Sequence, residues 1–333
     1  MKWNHHEPLI LELKPINGFF IPECTLNELK SKKRREYLFK IPNKGYRNFP
    51  YALHASLSAS SQTLIDIGGS SKTWGASQFS LMRLNLGSSS NPHDVTRYEL
   101  YNRYFSVGPF GMHWLVEETT KTSLITFNRY SFMPPDRAIG EVGLYFTDAY
   151  NAYTYLVARA VIDPAITKYA NTLYEEGWQI DFPSNYTRWF LRVYFEPLQY
   201  MGGAFGPLVT AIDGALYAIR QGSPWAGSPD VMIGSDNTPP SPTDYALKSP
   251  IGSLSSQTQS VEIDTTLQEC RVVRTGTYTP STNIQLGEVA LFVNIYDAGA
   301  TARKIMVARG VWDTPVTIVA GTTYTIGIAL KLG

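Results

Sequence analysis

Two glutamates and two arginines recur at matched places in this chain, and they are the side chains best suited to ionic chemistry. Glu141 lies in GEVGLYF (140–146) and Glu288 in GEVALFV (287–293). Arg159 lies in VARAVID (157–163) and Arg309 in VARGVWD (307–313). A glycosidase needs two carboxyl groups at a set separation across a sugar bond. Here each acid sits in an apolar, strand-like run and has an arginine of its own copy within reach across a turn. That arrangement predicts two structural ion pairs, Glu141 with Arg159 and Glu288 with Arg309. Glu175 and Glu176 form another acidic pair, expected in a turn; the second copy has AGTTY there and no acid.

Other chemistry-bearing residues are sparse. The histidines are His5, His6, His54, His93 and His113, and no HExxH, GxSxG, Walker A or GxGxxG pattern occurs. Cys24 and Cys270 are too far apart in the sequence for a CxxC zinc site or a disulfide framework. They are expected to be buried thiols. No catalytic residue, cofactor or metal is therefore assigned. The sequence IDIGGSS (65–71) has a glycine pair that its counterpart IDGAL lacks, and it reads as a turn. Asn185-Tyr186-Thr187 is a glycosylation sequon, relevant to a protein displayed outside a cell.

Charge is uneven although the net is +1. Residues 1–50 hold ten Lys/Arg against five Asp/Glu, and the densest run places Lys30, Lys32, Lys33, Arg34 and Arg35 together. Such a run can contact an acidic protein surface or a phosphate backbone, so these five are candidate assembly or genome contacts. Glu28 and Glu36 dilute the patch. Arginine alternates with aromatics in TRYELYNRYF (96–105) and TRWFLRVYF (187–195), a composition enriched at protein–protein interfaces and also able to stack on sugars or bases.

The elements that must position these residues emerge from an internal repeat. GSSSNPHDVTRYEL (87–100) aligns with GSDNTPPSPTDYAL (234–247) at an offset of 147. The same offset relates GEVGLYF to GEVALFV and TLID (63–66) to TAID (210–213). The VAR blocks come next at an offset of 150, which places three inserted residues between Leu291 and Val307. Insertions are tolerated in exposed turns, so both segments are expected to be hairpins even though YFTDAYNAYTYLVARAVI alone could pass for a helix. Each copy ends in a strand of period two, GWQIDF and TTYTIGIALKL. A proline turn, at Asp163-Pro164 and Asp313–Pro315, is expected before each.

At 333 residues, 44% hydrophobic and 17% charged, the chain can bury a sizeable core. Abundant Tyr, Thr, Ser, Gly and Pro favour short strands joined by turns. The fold class expected is all-β: two tandem antiparallel β-sandwich domains, jelly-roll or immunoglobulin-like, from an internal duplication. A basic N-terminal arm (1–50), with a short helix around Leu26–Lys40, precedes copy 1 (51–186) and copy 2 (187–333). The first twenty residues lack the pattern of a secretory signal, and no apolar run reaches the roughly 18 residues of a membrane span. Synthesis in a cytoplasm is the expectation.

The block Gly234, Ser235, Pro239, Pro240, Ser241, Pro242, Asp244, Tyr245 and Leu247, followed by Gly287–Leu291 and Val307–Val311, resembles β-rich surface and structural proteins of viruses. The resemblance is to those of archaeal viruses and some tailed phages. Copy 1 departs from it, with His93-Asp94-Val95 in place of Pro240-Ser241-Pro242. It implies a non-enzymatic virion component such as a capsid, turret or tail subunit. Its partners would be copies of itself and other virion proteins, with nucleic acid touched only through the arm. A carbohydrate-binding or host-adhesion module that reads surface glycans is the alternative, and a glycan-active enzyme the third reading.

Overall fold

The computed structural model describes residues 9–16, 43–58, 60–75, 82–106, 112–117, 121–130, 137–148, 151, 153–168, 174–183, 186–194, 208–220 and 225–332. The basic run Lys30, Lys32, Lys33, Arg34 and Arg35 lies outside the described residues, as do His5, His6, Cys24 and the helix expected around Leu26–Lys40.

Strands dominate, in several mostly antiparallel sheets. In the first half these are β1 (Leu9–Ile16), β2 (Asn43–Gly45), β3 (Gln62–Ile65), β4 (Ser71–Trp74), β5 (Met82–Gly87), β6 (Arg103–Ser106), β7 (Met112–Glu117), β8 (Lys121–Tyr130), β9 (Arg137–Thr147), β10 (Thr154–Lys168) and β11 (Tyr174–Pro183). The second half holds β12 (Leu208–Thr210), β13 (Leu216–Ala218), β14 (Trp225–Gly234), β15 (Pro250–Ser253), β16 (Ser255–Asp264), β17 (Glu269–Tyr278), β18 (Ile284–Tyr296), β19 (Ala302–Ile318) and β20 (Tyr324–Leu332). Helices α1 (Asn48–Ser58) and α2 (Arg188–Tyr194) complete the set.

Strand order recurs between the halves. The first has the order β6-β5-β9-β10 and the second β15-β14-β18-β19, while β7-β8-β11 is matched by β16-β17-β20. The hairpins β3–β4 and β12–β13 stand as separate two-stranded sheets. β1 pairs in parallel with β20 and antiparallel with β11.

The expected hairpins are β9–β10 and β18–β19. The second is longer by the pairs Ile295↔Arg303 and Tyr296↔Ala302. Its turn, 297–301, is correspondingly shorter than 148–153, and so the three extra residues extend the ladder rather than the loop. Both hairpins break register at the same two places. One lies beside Val157 and Val307, the other between Val161 and Ile166 and between Val311 and Val316. Asp163-Pro164 and Asp313–Pro315 therefore sit in bulges within β10 and β19, not in turns before the closing strands. Proline has no N–H for a ladder, and a bulge is where a sheet tolerates it. Glu175 and Glu176 are likewise inside β11, paired with Arg129 and Asn128, rather than in a turn.

Helix α1 was not legible from the expected all-β pattern. Pro50 falls in its first turn, where a missing N–H costs nothing. Asn48 is buried and anchors the start: its Oδ1 accepts the Ile65 N–H at 3.0 Å, and its Nδ2 donates to the carbonyls of Ile65 and Leu156. The chain entering α1 and the chain entering α2 make the same bonds. Tyr46 and Thr187 donate N–H to Val157 and Val307, and Arg47 and Arg188 to Val95 and Pro242.

One large cluster of buried apolar side chains runs from Phe49 to Leu330 and draws on both halves. In β17 and β20 burial alternates, so one face meets the core and the other does not. β18 differs, because every residue from Leu286 to Val293 is buried. Its outer face is covered by the loop 235–249, where Leu247 packs on Ala290, Phe292 and Met306. In the first half Leu100 packs with Tyr145, Leu156 and Tyr46 in the same manner. Each such leucine contributes about 1.5–3 kcal/mol by leaving water. The two loops of the repeat are thus lids over the central hairpins.

Candidate functional site: a loop held over each central hairpin by glutamate and arginine

The repeated loop is held at its C-terminal end by one buried carboxylate. In the second half Glu288 Oε1 accepts the Ser249 N–H at 2.8 Å, and Oε2 accepts the Lys248 N–H at 3.2 Å and Arg309 Nε at 2.7 Å. In the first half Glu141 Oε1 accepts the Asn102 N–H at 2.9 Å, and Oε2 accepts the Tyr101 N–H at 3.3 Å and Arg159 Nε at 2.7 Å. All four charged side chains are 0% exposed. The structure thus brings together both pairs that the spacing singled out, and it adds the loop backbone to each.

The other repeated residues serve the same purpose. Ser88 and Ser235 donate N–H to the carbonyls of Asn102 and Ser249, closing each loop at its neck. Gly140 and Gly287 lie against the loop backbone; a Cβ at Gly140 would stand 2.7 Å from the Ser88 carbonyl oxygen. Gly87 and Gly234 make room for the glutamate side chains. Tyr98 and Tyr245, both roughly 40% exposed, lie across Gly69 and Gly214 of the β3–β4 and β12–β13 hairpins. Both glycines have φ +79°, a left-handed backbone that a side chain would strain. The aligned tyrosines therefore clamp lid to hairpin.

The arginines differ in their remaining partners. Arg309 Nη1 donates to the Thr238 carbonyl at 3.1 Å and Asp244 Oδ2 at 3.2 Å, and Nη2 to Asp236 Oδ1 at 3.2 Å. Asp244 also pairs with Lys248 at 2.8 Å. Asp236 is held below the usual carboxylate range, first by the Thr238 hydroxyl and N–H and further by the Arg309 charge. Arg159 Nη1 instead donates to the carbonyls of Asn91 and Pro92. Its guanidinium carbon lies 4.9 Å from the centre of the Tyr101 ring, which Arg97 covers at 3.8 Å. Ser89 and Arg97 occupy the positions aligned with Asp236 and Asp244. The Tyr46 hydroxyl meets His93 Nδ1 at 3.2 Å. Burial raises its pKa, against the pull of Arg159 and of the Asp94 backbone N–H. Sequence reading placed Asp244 only within a motif and missed Tyr46 and Asp236, because the aligned copy carries different residues there.

Chemically, these glutamates act as fasteners. Each oxygen is already engaged by a donor, and buried ion pairs that also satisfy backbone groups hold position rather than exchange protons. The Arg–aromatic runs are also spent within the chain: Arg97 on Tyr101, and Arg188 and Arg192 on Trp189. In the sequon, Tyr186 and Thr187 are buried, and the Thr187 hydroxyl donates to the Met306 carbonyl at 2.5 Å. His54 lies between Ser58 and Gln259. Cys270 is buried, and burial pushes its thiol up to about 12. Among the described residues no group of three or more His, Cys, Asp or Glu gathers as a metal site. Nor is any helix there long and apolar enough to cross a membrane.

Searches of protein-family models, of curated proteins and of solved structures found no match to this chain.

Proposed function

We propose that this chain is a non-enzymatic structural subunit of a virion, a capsid, turret or spike, or tail component. In this reading it is two tandem antiparallel β-sandwich domains, 51–186 and 187–333, derived by duplication and preceded by a basic arm. The observation that carries the reading is the doubled lid. Glu141–Arg159 and Glu288–Arg309, both fully buried, are spent on stiffening two loops at equivalent places. A stiffened loop presents a surface to a partner at low entropic cost. Strand β16 supports self-association, since among the described residues it pairs only with β17 and leaves its other edge open. The arm, with Lys30 to Arg35, would reach neighbouring subunits or packaged genome.

The test is to locate the protein in purified particles by mass spectrometry and electron microscopy, alongside light scattering of the isolated chain. A monodisperse monomer at high concentration that is absent from particles refutes the proposal. Half-exposed Tyr98 and Tyr245 favour a second reading, host adhesion through glycans, because flat aromatic faces on rigid loops stack well on sugars. A glycan array separates the two: one sharp ligand preference, abolished by Tyr245→Ala, supports adhesion, and no binding favours a scaffold.

A further inference from the structure

Among the described residues the two large sheets end at β6, β7, β15, β16 and β19. An end strand shows a row of unpaired N–H and C=O groups, and proteins blunt it by shortness, proline, lysine or a bulge. β6 and β15 have four residues each, β7 has six, and β15 begins at Pro250. β19 is long, but it is twice broken in register and carries Pro315. β16 is blunted only at its start, by a bulge between Ser255 and Thr258 in which Ser256 has φ +48°. From Thr258 to Asp264 every residue then pairs with β17 without a break, and the run has no proline, glycine or lysine. Thr258, Ser260, Glu262 and Asp264 are exposed; Gln259, Val261 and Ile263 are half-buried, with Val261 against the main apolar core. Apart from β17, the described group that touches this backbone is His54, whose Nε2 lies 3.4 Å from the Gln259 carbonyl oxygen. A carbonyl oxygen keeps a second lone pair.

The two acids decide which strand fits there. In an antiparallel pair, residues directly opposite share a face of the sheet. Two copies of β16 related by a two-fold axis through the sheet must therefore set odd numbers opposite odd and even opposite even. An axis at Glu262 or Ile263 would put Glu262 against Glu262 or Asp264 of the second copy, and like charges directly opposite are destabilising. An axis at Ser260 would put Asp264 against Ser256, inside the bulge. An axis at Val261 avoids both. It pairs the whole run from Thr258 to Asp264, with Ser260 opposite Glu262 and Thr258 opposite Asp264 on either side of the axis. A hydroxyl donor then faces each carboxylate. Arg271 already holds Oε2 of Glu262, which leaves Oε1 for the serine. On the inner face Val261 meets Val261, and Gln259 meets Ile263.

We propose that β16 is a dimerisation edge: two copies of this chain join β16 to β16, antiparallel, about a two-fold axis at Val261. The β16-β17-β20 ladder of one copy then continues into that of the other. The proposal rests on the reading of this chain as a self-assembling subunit, and it names the strand and the register. Such a contact uses the same patch on both copies and closes at a dimer, so any larger assembly must use a further surface.

Sedimentation equilibrium of the full chain measures the dimer, and the sign of charge at position 260 tests the register. Ser260→Glu sets a carboxylate opposite Glu262 twice per dimer and should weaken association roughly tenfold, whereas Ser260→Lys should strengthen it by a similar factor. Position 260 is exposed, so both variants should fold as the wild type does, which circular dichroism checks. Val261→Cys should form a disulfide-linked dimer under mild oxidation. Thr258→Cys should not, because its two copies would stand roughly 20 Å apart along the ladder. The wild type, with Cys24 and Cys270, sets the background. A wild type that stays monomeric at high concentration overturns the proposal. So does an equal or absent effect of the two position-260 variants, or cross-linking at 258 in preference to 261. The virion reading outlives those results if the chain is found in particles, and it fails separately if the chain dimerises through β16 yet is absent from them.

Discussion

Glu141→Gln and Glu288→Gln remove the same charge from the same geometry, yet they should not cost the same. In both centres all three partners of the carboxylate are donors. A glutamine offers one acceptor oxygen and an NH2 group, and the NH2 must face a donor whichever way the amide is turned. Each variant therefore loses charge-assisted hydrogen bonds worth about 1.5–3 kcal/mol. The arginine left behind sets the remaining cost. Arg309 keeps Asp236 and Asp244, so Glu288→Gln should stop near that figure. Arg159 has no other carboxylate among the described residues, and Glu141→Gln leaves a fully buried, uncompensated cation, the situation that costs about 3–5 kcal/mol. Urea denaturation at neutral pH, monitored by tryptophan fluorescence and far-ultraviolet circular dichroism, measures both. The expected order is wild type, then Glu288→Gln, then Glu141→Gln, with about 1–2 kcal/mol between the variants. Equal losses, or a loss below about 1 kcal/mol for Glu141→Gln, would refute the claim that the first centre rests on one carboxylate.

Other consequences are open to measurement. Gly140→Ala pushes a methyl group against the Ser88 carbonyl at 2.7 Å; backbone cannot yield as a side-chain end can, so loss of about 3 kcal/mol or more is expected by calorimetry. Asp230 is costly to bury, but Lys304, Gln257 and Ser253 bond it and hold its carboxyl below the usual value of 3.8. A depressed folded-state pKa contributes stability that is complete above the unfolded value and is lost as pH falls through the folded one. Asp230→Asn should therefore flatten the stability profile below about pH 4 and lower it at pH 7; an unchanged acid limb contradicts this. Cys270, with its thiol pushed up to about 12, should stay unmodified by a thiol reagent at pH 8 in the native chain and react on unfolding, as peptide mapping would report. Tyr245→Ala should cost only about 0.5–1.5 kcal/mol, since the ring is half-exposed, but should loosen β12–β13 in hydrogen exchange.

Periodicity and self-similarity were enough to establish the strand-rich character of the chain and the pairing of its parts. Period-two runs such as TTYTIGIALKL mark strands because alternate side chains must face one core. The offset of 147 identified the loops, the hairpins and the glutamates and arginines, because a repeat preserves residues whose contacts lie within the repeat. Three things were beyond such reading. The prolines at 164 and 315 read as turns, and only the ladder on either side shows a bulge. Helix α1 carries no distinctive local signal; its start is fixed where the Asn48 side chain bonds Ile65 and Leu156, the second of them far away in the sequence. The difference between the two arginines could not be read from aligned residues alone. It depends on Tyr46, which stands outside the aligned loops, supplying one acceptor where Asp244 stands in the other copy, and on nothing described supplying the second. A buried charge is judged by every group within bonding distance in space, and that set comes into being only once the chain has folded.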